Sequence, residues 1–83
     1  MNYENIELKM TCSACPEQYD AFIDGEKIGY LRLRHGCFTV EYHGGIVYTA
    51  KPIGDGIFKD EERDRYLKHA REALFEAYTK DRL

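Results

Sequence analysis

Eighty-three residues with a formal net charge of −3 and a pI of about 5.6 describe a single domain that is too acidic for a general nucleic-acid binder. An apolar fraction of 43%, with seven Tyr and four Phe, excludes a disordered chain, and no apolar run is long enough for a transmembrane helix. A chain of this length buries roughly 60–65% of its unfolded surface, which allows a thin two-layer core.

In chain order, the opening Met1-Asn2-Tyr3-Glu4-Asn5-Ile6-Glu7 has no basic n-region and no apolar h-region, so no secretory signal is read there. Three cysteines without such a signal point to reduced thiols or metal ligation and to a cytoplasmic protein. Ile6, Leu8 and Met10 alternate with Asn5, Glu7 and Lys9, which predicts a half-buried strand. Cys12-Ser13-Ala14-Cys15-Pro16 reads as a turn, because Pro16 biases Cys15 away from the helical region. Tyr19 to Ile23 is a second strand, followed by the hairpin dipeptide Asp24-Gly25. Ile28 to Arg34 is the third strand, His35-Gly36 a compact turn and Cys37 to His43 the fourth strand. Gly44-Gly45 turns the chain again into a fifth strand, Ile46 to Lys51. Turns at intervals of about ten residues between β-rich runs indicate an antiparallel meander.

A two-residue loop at His35-Gly36 sets Leu33 opposite Phe38 and Leu31 opposite Val40 on one face. Arg34/Cys37, Arg32/Thr39 and Tyr30/Glu41 then share the other face, so one register separates apolar from polar. The register at Asp24-Gly25 is open: a two-residue loop pairs Phe22 with Lys27, and a longer bulged loop gives other partners. Ile53 to Phe58 reads as a loop. Asp60 is then the expected N-cap of a helix, with Glu61 and Glu62 complementing its dipole. Leu67, Ala70, Leu74 and Ala77 form its apolar stripe, flanked by Tyr66, Ala73 and Tyr78, and Asp64–Lys68 and Glu76–Lys80 are expected i, i+4 pairs. The fold class is therefore α+β: an antiparallel sheet of four or five strands with one C-terminal α-helix packed on one face.

Two features carry chemistry. Cys12-x-x-Cys15 has zinc-ligand spacing, and His35 with Cys37, flanking a turn, supplies a candidate second pair. Cys37 and His43 cannot share an ion, being about 20 Å apart along an extended strand. The outward hairpin face, with Tyr30, Arg32, Arg34, Thr39, Glu41 and Tyr48, is a candidate partner-binding surface. Tyr and Arg are enriched at interface hot spots, and guanidinium forks suit carboxylate or phosphate groups. The plain alternative is a solvated face with an Arg32–Glu41 cross-strand pair. Gly54-Asp55-Gly56 before the helix has neither Walker nor dinucleotide spacing, and its neighbouring carboxylates would repel a phosphate. No Ser/His/Asp order and no HExxH motif is present, which favours a non-enzymatic protein.

The string from Tyr19 to Arg34 resembles a strand–turn–strand unit of small acyltransferases of the GNAT family. That resemblance implies a reduced acyltransferase, although the family's basic pyrophosphate loop has no counterpart at Gly54 to Phe58. The wider pattern runs Cys15-Pro16-Glu17-Gln18-Tyr19-Asp20, Gly29-Tyr30-Leu31-Arg32-Leu33-Arg34-His35-Gly36 and Gly54-Asp55-Gly56-x-Phe58. It resembles small uncharacterised proteins of phages and mobile elements. This second resemblance implies an accessory protein that binds and modulates or inhibits a host protein, for example a defence nuclease. A protein partner is expected, nucleic acid and membrane are not, and a homodimer is compatible with the size. A small zinc-stabilised module is the other expectation.

Overall fold

The computed structural model describes residues 2–13 and 16–83. After a 3-10 turn at Tyr3–Asn5 come β1 (Glu7–Cys12), β2 (Glu17–Ile23), β3 (Glu26–Arg34), β4 (Cys37–Tyr42), β5 (Gly45–Ala50) and α1 (Asp60–Asp81). The strands form one antiparallel sheet in the order β1-β2-β3-β4-β5, and α1 packs over β3, β4 and β5. This is the α+β meander the turn spacing predicts.

All three inner hairpins close on two-residue loops. Asp24, His35 and His43 take φ of 51°, 53° and 47°, and the glycine after each takes 81°, 71° and 89°. Two consecutive positive φ values match the strands' right-handed twist, which is why such loops dominate tight hairpins. The last turn is His43-Gly44, not Gly44-Gly45, and Tyr42 pairs with Gly45. The β3–β4 register is the expected one throughout, from Arg34↔Cys37 to Tyr30↔Glu41. At Asp24-Gly25 the open register resolves as a two-residue loop with Phe22↔Lys27, and the pairing then shifts to Ala21↔Gly29. Ile28 is the extra residue of that bulge and is 1% exposed. The bulge lets a short loop and a correctly sorted core coexist.

The face under the helix carries Tyr19, Ala21, Ile23, Leu31, Leu33, Phe38 and Val40, all buried. Gly29 lies on this face beneath Leu74, where an added Cβ would meet the Glu41 carbonyl at 2.6 Å and a Leu74 methyl at 2.7 Å. A side chain here would hold the helix away from the sheet.

The helix buries Glu62, Ala70, Leu74 and Tyr78, with Tyr66 half-buried between. The buried line thus steps by four residues, while Leu67 and Ala77 of the expected stripe lie at its margin. Lys59, not Asp60, is the N-cap. Asp60 begins the helix and pairs with Arg63 at 2.8 Å. Glu76–Lys80 forms at 2.9 Å, whereas Lys68 leaves Asp64 and lies 6.0 Å over the Tyr3 ring. No helix among the described residues is long and apolar enough to cross a membrane.

Candidate protein-binding face

Two cross-strand rows organise the sheet face turned away from α1. One runs Cys12, Gln18, Arg32, Thr39, Thr49 from β1 to β5, and the other Lys9, Asp20, Tyr30, Glu41, Ile46. Below them Glu7, Phe22 and Lys27 form a shorter row, and Arg34 opposes Cys37 above. At the β1–β2 side the charges are satisfied: Lys27 meets Asp20 at 3.3 Å, and Lys9 lies 5.2 Å over the Phe22 ring.

The centre differs. The side chains of Arg32, half-buried, and Arg34, exposed, make no hydrogen bond or ion pair among the described residues, and neither does that of Glu41. The Arg32–Glu41 pair does not form, because these residues are diagonal neighbours: Arg32 faces Thr39 and Glu41 faces Tyr30. Two unneutralised guanidinium groups therefore project from the central strand beside Tyr30. Sequence spacing alone finds this triad, since a single hairpin register decides it.

Tyr48 is a correction. A bulge in β5 sets it opposite Val40, on the helix side of the sheet. There its hydroxyl lies 3.2 Å from His69 Nδ1 and its ring packs edge-on to Phe38, and burial pushes the phenol up. The bulge residue, Val47, is the reason simple alternation misplaces it.

Three of the four metal-ligand candidates can be placed. Cys12 is on β1 and Cys37 on β4, three strand spacings apart, or about 14 Å. His35 stands in the β3–β4 turn beside Cys37, at the same end of the sheet as Cys12 but across β2, and Cys15 lies outside the described residues. Among the described residues no group of three or more His, Cys, Asp or Glu could hold a metal ion.

Long-range folding adds a feature that sequence reasoning missed. The Gly36 amide donates to the Asp55 carbonyl at 2.6 Å, and the Glu17 amide to the Gly56 carbonyl at 2.8 Å. These bonds hold the 54–56 loop against the end of the sheet. They form an open cleft of about 360 Å³ lined by Pro16, Arg34, His35, Asp55 and Gly56. Arg34 belongs both to the sheet face and to this cleft.

Two buried carboxylates were not legible as buried. Glu17, 1% exposed, accepts from Tyr19 Oη, Phe58 N–H and Arg63 Nε, the last at 2.9 Å. Burial alone would push its carboxyl up. The hydrogen bonds from Arg63, Tyr19 and Phe58 outweigh burial, so the carboxyl titrates below the usual glutamate range. Burial, then the bond to Glu17, pushes the Tyr19 phenol well up. Glu62 accepts from the amides of Ile53 and Gly54 at 2.8 Å and Lys59 at 2.9 Å, and these bonds likewise overcome burial and hold it low. Perturbed buried carboxylates are candidates for acid–base catalysis. Here every partner is internal and both groups stay ionised, which makes them fasteners of the 52–58 loop. The Ile53 and Gly54 amides that a phosphate would need are already taken by Glu62.

No protein-family model matches the chain, and no curated protein and no solved structure matches it.

Proposed function

We propose that this chain is a small non-enzymatic binding protein whose open sheet face grips an acidic surface of a protein partner. The observation that carries the reading is the pair Arg32 and Arg34, without acidic partners among the described residues, on the central strand of a hydrogen-bonded sheet. Guanidinium forks on a rigid strand need little ordering to meet carboxylates, so most of their hydrogen-bonding capacity is available to a partner. Tyr30 adds amphipathic contact area, Thr39 small polar contacts, and Glu41 a charge that discriminates among partners. The likeness of the chain's motifs to phage and mobile-element proteins directs the search to host proteins, defence nucleases among them, that such a protein would modulate or inhibit. The odd cysteine count supports a cytoplasmic setting.

The test is affinity capture from host extract with the wild-type chain and with Arg32→Ala/Arg34→Ala. The reading requires loss of the captured partner at nearly unchanged melting temperature. Retention of the same partner by the double variant excludes this face.

A further inference from the structure

The two edges of the sheet are built differently. β1 carries Glu7 and Lys9, the charges that keep a free edge from pairing. β5 reads Gly45-Ile46-Val47-Tyr48-Thr49-Ala50, without a charge or a proline and rich in β-branched residues. Beyond its ladder to β4, no backbone hydrogen bond from 45–50 is made among the described residues. Ile46 is 59% exposed and Val47 is 37% exposed. Val47 also lines a groove of about 290 Å³ between this edge and α1, floored by Ala73 and Ala77 and walled by Glu76 and Lys80.

We infer that β5 pairs antiparallel with β5 of a second copy of this chain, across a two-fold axis normal to the sheet. Self-pairing suits this strand because it opposes no like charges, and an antiparallel pair places the same patch on both sides of the axis. The helices agree with it. α1 is centred over β4, so the two helices would run antiparallel about 14 Å apart, three strand spacings. Directly packed helices lie 8–10 Å apart, so the two grooves merge into one channel between them. Each Val47 fills that channel. The two-fold also brings Glu76 of each copy toward Lys80 of the other, exchanging an ion pair now made within one helix. A partner strand of unrelated sequence would not supply this reciprocal charge match.

The experiment is sedimentation equilibrium at chain concentrations up to about 100 µM, as a small interface requires. The wild-type chain should approach twice its 9.7 kDa mass. Val47→Lys, which puts a charge on the edge and in the channel, should sediment at the single-chain mass with an unchanged circular dichroism spectrum. Met10→Lys on the opposite edge should leave the doubled mass intact. Amide exchange of the wild-type chain supplies a readout independent of any variant's folding: 45–50 should exchange several-fold more slowly at about 100 µM than at about 1 µM, where a weak pair dissociates. A wild-type chain that stays at 9.7 kDa, or 45–50 exchange independent of concentration, overturns the inference. Dissociation by Met10→Lys with Val47→Lys still paired overturns it as well. The sedimentation result does not depend on capture through Arg32 and Arg34, so either reading can fail alone.

Discussion

Glu62 shows how one side chain decides a loop. Its carboxylate gathers the amides of Ile53, Gly54 and Lys59, so the loop entering α1 is shaped by an acceptor from the helix's own first turn. Glu62→Gln replaces one acceptor oxygen by a donor and leaves a buried amide unmatched, which costs about 2 kcal/mol at neutral pH. The pH dependence follows from direction. Glu17 and Glu62 both titrate lower in the folded protein than in the unfolded chain. Their contribution is fully present above the ordinary glutamate value of about 4.3 and is lost as pH falls through the folded values. Urea midpoints measured downward from pH 6 should fall below about pH 4.5, and the wild-type advantage over Glu62→Gln should shrink across the same window. A constant gap between the two proteins would contradict this role. Arg63→Ala tests the other carboxylate. It leaves Glu17 buried without its cation, at about 3 kcal/mol, and raises the Glu17 pKa, so acid unfolding should begin at higher pH. The sequence shows these acids as ordinary charges: the partners of Glu17, Phe58 and Arg63, meet β2 from more than forty positions away, and Glu62 is buried only once the loop folds back over its first turn.

At the scale of elements, the hairpins were legible and the offsets between them were not. Asp24-Gly25 and His35-Gly36 fix their turns locally, and alternation across His35-Gly36 yields every pair of β3 with β4. The bulges at Ile28 and Val47 break alternation; Gly29 stands beside the first, and no glycine or proline stands beside Val47. That is why Phe22 and Tyr48 were hard to orient from spacing. The helix was legible as an amphipathic unit, but its crossing direction, and so the 62–66–70–74–78 line, comes from the sheet it lies on. Gly29 marks the tightest point of that contact. Gly29→Ala should cost about 2 kcal/mol and lower the melting temperature by roughly 10 °C, by forcing Leu74 off the sheet. An unchanged melting temperature would mean that the helix does not approach β3 this closely.

For the whole molecule, one layer of helix on one face of the sheet leaves the other face for recognition. That face measures roughly 24 by 20 Å, about 500 Å², below the 800 Å² per partner of a standard interface. Pairing through β5 would make it continuous over ten strands and roughly double it, giving two Arg32/Arg34 sets to one assembly and an avidity gain for a partner with repeated acidic sites. The Tyr30, Arg32, Arg34 and Glu41 group was readable from one hairpin. The cleft that joins Arg34 to Asp55 was not, since it depends on the 54–56 loop closing over the end of the sheet. Ligand spacing along the chain likewise does not reveal that β2 and β3 stand between Cys12 and Cys37.

The most direct measurement is the binding of a captured partner to the wild-type chain and to Arg32→Ala/Arg34→Ala, titrated side by side with their melting curves. The account predicts an affinity loss of at least a hundredfold, about 2.7 kcal/mol, with melting temperatures that nearly coincide. Equal affinities for the two proteins would contradict it.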